Sequence, residues 1–326
     1  MKTSQIAIVL LITLIACTKK SDVNPNIDPD ILLSDLKNVQ YGSNIDSGGA
    51  MVPLLLDVYF PPNATTDKKY PLFVMIHGGG YLNGDKAGAE SICQIMADSG
   101  FVTVTINYRL GWRRNTAPCS GDTASLIRAV YRGLQDGNAA LRFLMSKSQN
   151  YAIDENWVFV GGASAGSNLV LNLQYLTQQV IQNTNPALIV TMGGVNNSGN
   201  NLSNTFTIKG ICNMWGGVID SSIITQSNAI PTISFHGTAD NVVPYDHGTY
   251  LNCPNYPTLN GSLTVHRQLL RYHKPTIVHL SINGNHGPDE YTAAFLMDNT
   301  ACFFKKIMEG QAINSKVFTG LQNSCQ

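Results

Sequence analysis

The 326-residue chain carries little charge. Charged residues make up 13% of it, and 21 basic residues balance 21 acidic ones, so the formal net charge is zero. A chain without a basic excess has little with which to attract a polyanion, and we expect no nucleic-acid partner. The hydrophobic share of 44% is typical of a globular protein, and the length suffices for one large core.

Long apolar runs and metal-binding patterns are also missing. The apolar stretch at residues 6–16 is too short to span a bilayer as a helix. No spacing of cysteines and histidines resembles a zinc site, so we expect no metal.

The N-terminal stretch indicates export instead. It follows Met1 and Lys2, as in a secretion signal. Residues 14–17 read Leu-Ile-Ala-Cys and resemble the bacterial lipobox, in which the cysteine is acylated. The resemblance implies a signal peptide over residues 1–16 and a membrane contact through a lipid on Cys17 only. A plain signal peptide cleaved nearby is the alternative.

The following segment predicts a tether. Residues 18–30 are polar, with two prolines and no apolar periodicity. We therefore assign residues 17–34 to anchor and tether and residues 35–326 to one folded domain. Thr18, rather than an aspartate, follows the cysteine, so we expect a lipoprotein of the outer membrane that faces the periplasm or the exterior.

A serine lies between glycines where a strand changes into a helix. Residues 162–166 read Gly-Ala-Ser-Ala-Gly, after the apolar run 157–160 and before the apolar run 169–171. Such a tight turn leaves no room for large side chains and strains the backbone of Ser164. The pattern is that of a nucleophile elbow. A helix-capping serine is the alternative, but it does not account for the flanking glycines.

Further motifs surround this elbow. The buried-strand pattern of residues 70–76 runs into His-Gly-Gly-Gly at 77–80, and later motifs are Asn-Tyr-Arg-Leu at 107–110, His-Gly-Thr-Ala-Asp at 236–240 and Gly-Asn-His-Gly at 284–287. Together they resemble the α/β-hydrolase family, and within it the carboxylesterases and polysaccharide-associated esterases. The resemblance covers roughly residues 50–310.

The resemblance implies a catalytic triad. The family's chain order is serine, acid, histidine, which here implies Ser164, Asp240 and His286. Ester cleavage by a serine needs a base for the hydroxyl proton and an acid that orients the base. This chemistry requires no cofactor. Asp246 and Asp289 remain alternatives for the acid, and His247 for the base.

The resemblance also implies an oxyanion hole. We assign its donors to the backbone amides of Gly78, Gly79 and Ala165. Loss of one such donor in a comparable enzyme costs on the order of 3 kcal/mol of transition-state stabilisation. His77 precedes the nucleophile, and the resemblance gives it a structural role beside this loop. His236 ends a strand just before the acid's loop and is expected to pack near the site.

Three further expectations concern the surroundings of the site. The loop 111–122 lies on the predicted rim and contains Trp112 and Arg113, which we assign to the substrate pocket. The Asn-rich stretch 191–207 forms either a cap over the site or an excursion. Arg109 and Asp136 are candidates for an ion pair beneath the site.

Six cysteines follow Cys17, at positions 93, 119, 212, 253, 302 and 325. An oxidising compartment allows up to three bridges among them, with 15 connectivities. Cys93 and Cys212 fall in apolar segments typical of buried thiols, whereas the other four lie in or near loops. A bridge between Cys302 and Cys325 would fasten the tail, but the sequence does not decide the pairing.

Strand and helix patterns alternate along most of the chain, after an antiparallel start. This alternation predicts an α/β fold with a mostly parallel twisted sheet of about eight strands and helices on both faces. The carboxyl ends of the strands then share one rim. The predicted final helix runs over residues 289–308.

These observations favour a serine esterase that acts through an acyl-enzyme. The expected substrates are esters of short or aromatic acyl groups, including acetyl or feruloyl groups on polysaccharides. A peptidase of similar machinery is one alternative, although such enzymes usually carry a large gating domain for which the chain has no room. A non-catalytic glycan-binding or adhesion module is the other, although such modules commonly lose a triad member. Neither the exact specificity nor the oligomeric state follows from the sequence.

Overall fold

The structure is a computed structural model that describes residues 31–324. The predicted signal peptide, the anchor Cys17, the tether up to residue 30 and the tail residue Cys325 lie outside this range. Within it, no helix is both long and apolar enough to cross a membrane.

Nine strands form one large sheet, in the spatial order β1-β2-β4-β3-β5-β6-β8-β11-β12. Their bounds are β1 Leu36–Ile45, β2 Met51–Tyr59, β3 Tyr70–Ile76, β4 Val102–Ile106, β5 Ile153–Ala163, β6 Ile208–Met214, β8 Thr232–Gly237, β11 Thr276–Ser281 and β12 Lys316–Thr319. The first two strands pair antiparallel, and β2 also pairs antiparallel with β4. From β4 to β12 all neighbours are parallel.

Over residues 31–324, seven α-helices connect or cover the strands. They are α1 Glu90–Asp98, α2 Thr123–Ser146, α3 Ala165–Tyr175, α4 Gln178–Thr184, α5 Pro186–Met192, α6 Ser262–Arg271 and α7 Ala293–Met308. A small second sheet consists of β7 Gly217–Val218, β9 His247–Thr249 and β10 Thr258–Gly261.

Two hydrophobic cores lie on opposite faces of the large sheet. Alternate residues of β3 show the division: Leu72, Val74 and Ile76 belong to one core, whereas Phe73 and Met75 belong to the other. The first core also contains buried residues of α2, α3 and α6, and the second contains those of α1 and α7. Because successive strand residues point to opposite faces, central strands covered on both sides are apolar throughout.

The architecture agrees with the expected alternation and differs from it in detail. The sheet has nine strands rather than about eight, since residues 316–319 add a parallel edge strand beyond β11. Helix α7 begins at Ala293 rather than near 289, because the Thr292 side chain accepts a hydrogen bond from the Phe295 amide and caps the helix there. At the other end, Leu32 pairs with Thr65, so contact with the domain begins before residue 35.

The Asn-rich stretch lies along the first strand and α2. The Ser43 amide donates to the Gly199 carbonyl at 2.9 Å, and the Asn200 side chain donates to carbonyls of Tyr41 and Ala139. Arg142 donates to the Ser198 carbonyl at 2.6 Å. Residues 198–200 are therefore an excursion fixed to the sheet edge rather than a cap over Ser164.

Candidate active site

Four strands deliver the predicted site residues to one rim of the sheet. Ser164 follows β5, Asp240 follows β8, His286 follows β11, and the glycine loop follows β3. These strands are parallel members of one sheet, so their carboxyl ends meet on the same side. Residues more than a hundred positions apart in the chain thereby come into contact.

Ser164 occupies a strained turn. Its backbone has φ +55° and ψ −119°, outside the common regions for a residue with a side chain, between the end of β5 and the start of α3. Its amide donates to the Met214 carbonyl at 2.9 Å, and its carbonyl accepts from the Asn168 amide at 2.9 Å. The turn lifts the hydroxyl clear of both elements, as in a nucleophile elbow.

The two glycines of the elbow are required by close approach. A Cβ on Gly162 would lie 2.3 Å from the carbonyl carbon of Gly166. A Cβ on Gly166 would lie 2.1 Å from the carbonyl oxygen of Ile76, the last residue of β3. Any side chain at either position would force the elbow away from the neighbouring strand.

The three triad residues form one continuous hydrogen-bonded relay. The Ser164 hydroxyl donates to Nε2 of His286 at 2.7 Å. Nδ1 of His286 donates to Oδ2 of Asp240, also at 2.7 Å. Asp240 is fully buried, and the His286 side chain is about one-fifth exposed, at 21%. A base in this position can exchange protons with a bound substrate while its other nitrogen is held in one tautomer.

Asp240 is held in its charged form. Its Oδ1 accepts from the amides of Val242 and Val243 at 2.8 and 2.9 Å. Burial opposes ionisation, but hydrogen bonds from His236 and His286 outweigh it and hold the pKa of Asp240 below its usual range. The carboxylate is therefore available to stabilise an imidazolium at His286.

Two aromatic rings orient the glycine loop. The Tyr108 hydroxyl donates to the His77 carbonyl at 3.1 Å, and the His77 ring donates from Nδ1 to the Gly78 carbonyl at 2.7 Å. In a trans peptide the N–H points opposite to the C=O of the same unit. Holding these two carbonyls therefore fixes the directions of the Gly78 and Gly79 amides.

The loop lies directly against the elbow. A Cβ on Gly78 would lie 3.3 Å from the Cβ of Ser164, and one on Gly79 would lie 2.0 Å from the Asn83 carbonyl oxygen. The amide of Ala165 belongs to the first residue of α3, where helix amides have no partner within the helix. The backbone of Gly78 and the amide of Ala165 thus lie next to Ser164, as expected for two of the predicted donors.

The two predicted pocket residues lie elsewhere. Trp112 is buried against Tyr250 and Tyr256, with ring centroids 5.7 and 5.5 Å away. The Arg113 side chain is 74% exposed and pairs with Asp122 at 2.6 Å. Neither lines the large cavity described below. Their loop serves to pack and close the rim, because its aromatic residue points inward and its arginine points to solvent.

The alternative acids and bases stand apart from Ser164. Asp246 pairs with Arg267 at 2.6 Å, and His247 contacts the Asn260 side chain at 3.1 Å on the small sheet. Asp289 makes none of the hydrogen bonds that tie Asp240 to His286. Only the predicted set is joined into the relay among the residues that the structure describes.

The expected ion pair beneath the site is present. Nη2 of Arg109 lies 2.7 Å from Oδ1 of Asp136, and both side chains are buried. Arg109 also donates from Nη1 to the Ile45 carbonyl at 2.8 Å. The pair therefore links the strand carrying residues 102–106 to α2 and to the end of β1.

A disulfide joins Cys119 to Cys253. It connects the loop after β4 with the loop after β9. Cys93 and Cys212 are free and buried, as the sequence suggested. Cys302 is also disulfide-bonded, whereas its expected partner Cys325 lies outside the described range.

A cavity of about 350 Å³ opens beside the glycine loop. Near the site its wall consists of Tyr81, which follows the loop, Asn168, one helical turn after Ser164, and Tyr250. The remote wall is mainly aliphatic and comes from α2, α4 and α5, including Leu126, Val130, Ile181 and Leu188. Asp220 is the one charged residue in the wall among the described residues, and its carboxylate accepts from the Ser222 amide and hydroxyl.

Sequence reasoning missed several of these residues. Tyr81 and Tyr250 carry no motif signal, because their importance depends on loops that meet only in the fold. Tyr108 belongs to the Asn-Tyr-Arg-Leu motif at 107–110, which could have pointed to it. His236 is not among the missed residues, because it was expected to pack near the site. It lies at the end of β8, and its Nε2 is 3.1 Å from Oδ2 of Asp240. Among the described residues no group of three or more His, Cys, Asp or Glu could hold a metal.

The chain is similar to esterases in sequence. It is 34% identical over 122 residues to gut esterase 1 of Caenorhabditis briggsae, a match covering 37% of this chain and 20% of that protein. It is 35% identical over 118 residues to liver carboxylesterase 1 of Oryctolagus cuniculus, covering 36% and 20%. The matched region spans about a fifth of the length of these relatives.

Solved structures resemble nearly the whole domain. A truncated form of a carbohydrate esterase from gut microbiota superposes with a TM-score of 0.58 at 19% identity, covering 86% of this chain and 98% of that one. Thermogutta terrifontis esterase 2 phosphorylated by paraoxon gives a TM-score of 0.54 at 16% identity, covering 81% and 90%. At these identities the likeness concerns the fold, and it confirms the predicted α/β-hydrolase architecture.

A family model covers the region that carries most of the motifs. The BD-FAE model matches residues 56–226, which include the glycine loop, the Asn-Tyr-Arg-Leu motif and the elbow. This range is more than half of the chain. The chain therefore belongs to the BD-FAE family, an esterase family of the α/β-hydrolase fold.

Proposed function

We propose that the protein is a serine hydrolase that cleaves carboxylic esters through an acyl-enzyme. The observation that carries the proposal is the relay from Ser164 through His286 to Asp240, with 2.7 Å at each step. The family supports an ester as substrate, and the elbow supports a serine nucleophile.

We assign each residue one part of the reaction. His286 Nε2 takes the proton from the Ser164 hydroxyl as its oxygen attacks the ester carbonyl carbon. The carbonyl oxygen becomes an anion facing the amides of Gly78, Gly79 and Ala165. Collapse expels the alcohol, which receives its proton from Nε2 of His286, and leaves an acyl group on Ser164. A water molecule repeats the attack under the same base and releases the acid.

Replacement of the nucleophile tests the proposal. The variant Ser164→Ala should lose turnover of nitrophenyl acetate by at least about a thousandfold, since no covalent intermediate can form. Its thermal unfolding midpoint should stay near that of the wild type. A fluorophosphonate probe should label the wild type and not the variant. Retained turnover in the variant would contradict the mechanism, whereas a wild type that is neither active nor labelled would favour a binding module.

For the substrate, we propose short or aromatic acyl groups, including acetyl or feruloyl groups carried by polysaccharides. The cavity beside the glycine loop supports an uncharged apolar group, because its wall is mainly aliphatic and aromatic. A carbohydrate esterase among the structural neighbours is consistent with a polysaccharide carrier.

Filling the cavity tests this assignment. Leu188 lines the cavity from α5, whereas Val190 on the same helix is 84% exposed. We expect Leu188→Trp to reduce kcat/KM for a feruloyl ester about tenfold or more, because the added ring occupies the space of the acyl group. Turnover of an acetyl ester should change little. Val190→Trp is the matched control, and an equal loss in both variants would refute a role of this cavity.

We also propose that the protein is held at the outer membrane by a lipid on Cys17. The lipobox-like Leu-Ile-Ala-Cys segment supports it. In bacteria grown with labelled palmitate, the wild type should take up the label and Cys17→Ala should not. Equal labelling of both would exclude this site of attachment.

A further inference from the structure

The acid of the triad has a second histidine partner. Oδ2 of Asp240 accepts from Nδ1 of His286 at 2.7 Å and lies 3.1 Å from Nε2 of His236. His236 is fully buried at the end of β8. The same Nε2 also lies 3.0 Å from the Val243 carbonyl oxygen. The ring therefore faces two groups that only accept hydrogen bonds, on the side of the carboxylate away from substrate.

The other ring nitrogen is met by a buried hydroxyl. Nδ1 of His236 lies 2.7 Å from Oγ of Ser262, the first residue of α6. The Ser262 side chain is itself buried and receives a hydrogen bond from Nδ2 of Asn213 at 3.0 Å. The hydroxyl proton is thus free to point at the His236 ring.

A backbone amide sets the direction of this chain of bonds. The Gly216 amide can only donate, and it lies 3.1 Å from Oδ1 of Asn213. Asn213 must therefore present its oxygen to Gly216 and its NH₂ group to Ser262. Ser262 then donates to Nδ1 of His236, so the ring proton is on Nε2, where Asp240 and Val243 require it. The requirements at the two ends of this hydrogen-bond series, at Gly216 and at Asp240, give the same tautomer of His236.

The same series of hydrogen bonds also disfavours a charged His236 ring. A proton on Nδ1 would oppose the hydroxyl proton of Ser262, and turning that hydroxyl away would lose its acceptor in a buried site. The titratable groups that meet the ring are Asp240 and, through that carboxylate, His286. In this series of hydrogen bonds, helix α6 and strand β6 are represented by the neutral side chains of Ser262 and Asn213. Tyr250 is a further neighbour of the Asp240 charge.

We infer that His236 is a positioning residue: it stays neutral, donates from Nε2 to Oδ2 of Asp240, and thereby sets the basicity of His286. The two histidines donate to the same carboxylate oxygen. The hydrogen bond from one histidine therefore reduces the negative charge that this oxygen offers to the other. Asp240 itself does not depend on His236 for its place, because the amides of Val242 and Val243 hold its other oxygen. The effect of His236 on the base is consequently electrostatic.

The pH dependence of catalysis tests this inference, which rests on the proposed esterase function. In His236→Leu the full negative charge of Asp240 supports a proton on His286, so the acid limb of kcat/KM for nitrophenyl acetate should move up by about one pH unit. In His236→Gln, whose amide can still donate to Asp240, the limb should stay near that of the wild type. An unchanged limb in a folded His236→Leu variant would overturn the inference.

A measurement on the wild type does not depend on the variant folding. In protein with ¹⁵N-labelled histidine, the ring signal that His236→Gln removes identifies His236 among the seven histidines, and that signal should show the Nε2–H tautomer. A His236 ring that carries its proton on Nδ1 would refute the inference. Absence of ester turnover in the wild type would instead refute the proposed function and leave this spectroscopic result to stand by itself.

Discussion

At the scale of single residues, the glycine loop is held by side chains outside the hydrogen-bonded relay of Ser164, His286 and Asp240. Tyr108 is 4% exposed and stacks on His77 with ring centroids 4.5 Å apart. Its hydroxyl reaches the carbonyls of His77 and Gly78 at 3.1 and 3.4 Å. The ring thus holds the loop that presents the oxyanion donors.

We expect Tyr108→Phe to lower kcat for an acetyl ester about tenfold while KM changes little. The loop amides are expected to stabilise the transition state more than bound substrate. A loosened loop should therefore lose part of a transition-state stabilisation worth several kcal/mol. Steady-state kinetics measure this split.

The matched control is Tyr131→Phe on α2. That hydroxyl also donates to a backbone carbonyl, at 2.6 Å to Gly193, on the wall of the cavity rather than at the glycine loop, so the control is measured with the acetyl ester, which does not need the cavity. Loss of a hydrogen bond that does not hold the glycine loop should leave kcat for the acetyl ester unchanged. Equal effects in both variants would mean that the loop does not depend on Tyr108.

At the scale of elements, the rim of the site is tied together across the chain. The disulfide between Cys119 and Cys253 spans 134 positions. Beside it, the Gly121 amide donates to the Tyr256 hydroxyl at 2.5 Å. Trp112 packs between these two segments, which explains why the tryptophan is buried and does not face the cavity.

We expect the double variant Cys119→Ala, Cys253→Ala to be less stable than the wild type by about 2–4 kcal/mol. A bridge over so long a loop restricts the unfolded chain strongly. Urea unfolding gives the difference. Reductant should lower the stability of the wild type more than that of the double variant, and an unchanged unfolding midpoint in the double variant would disprove this role.

At the scale of the whole molecule, the second core contains a histidine with no polar contact. The His279 ring lies between Phe235 and Phe318, with both centroids 5.0 Å away. Neither ring nitrogen has a hydrogen-bond partner among the described residues. Burial lowers the pKa of His279 to about 4.

The folded protein should therefore lose stability in mild acid. An unfolded histidine has a pKa of about 6.5, so below that pH the unfolded chain binds a proton that His279 refuses until about pH 4. Between pH 7 and 4.5 this residue should lower the free energy of unfolding by about 2–3 kcal/mol. Asp240 affects stability in a lower pH range than His279. A carboxylate whose pKa is lowered in the folded protein keeps its stabilising contribution until the pH falls below the pKa of the unfolded carboxyl, near 4.

The variant His279→Phe isolates this effect. It keeps an aromatic ring between two others and removes the titration. Urea unfolding at pH 7 and 4.5 should show a smaller stability difference in the variant than in the wild type. An equal difference in both proteins would mean that other histidines, such as the buried His77 and His266, account for the acid sensitivity.

Local patterns in the chain were enough to predict the elements. Gly162 and Gly166 on either side of a serine predicted the elbow, because only residues without a side chain can pass so near β3. The apolar runs predicted the central strands, since a strand covered on both faces must be apolar throughout. The Ser, Asp, His order of the resemblance selected residues that the structure brings into contact.

The outer parts of the site could not be predicted in this way. Trp112 and Arg113 belong to a loop on the rim and were therefore assigned to a pocket. The direction of their side chains instead follows from the packing of Trp112 on Tyr250 and Tyr256, which are distant in sequence, and from the ion pair of Arg113 with Asp122. The walls of the cavity come from segments spread between residues 81 and 259, and no periodicity in the chain records which segments will meet.

The sequence by itself determined which residues meet at the candidate site, namely Ser164, Asp240 and His286, and that positions 162 and 166 must be glycine. Those properties belong to single residues and their immediate neighbours. Only the tertiary structure decided what surrounds them, namely the apolar cavity, the stapled rim and the second histidine behind Asp240. Each of these is a contact across strands or loops, and such contacts depend on the packing of the entire sheet.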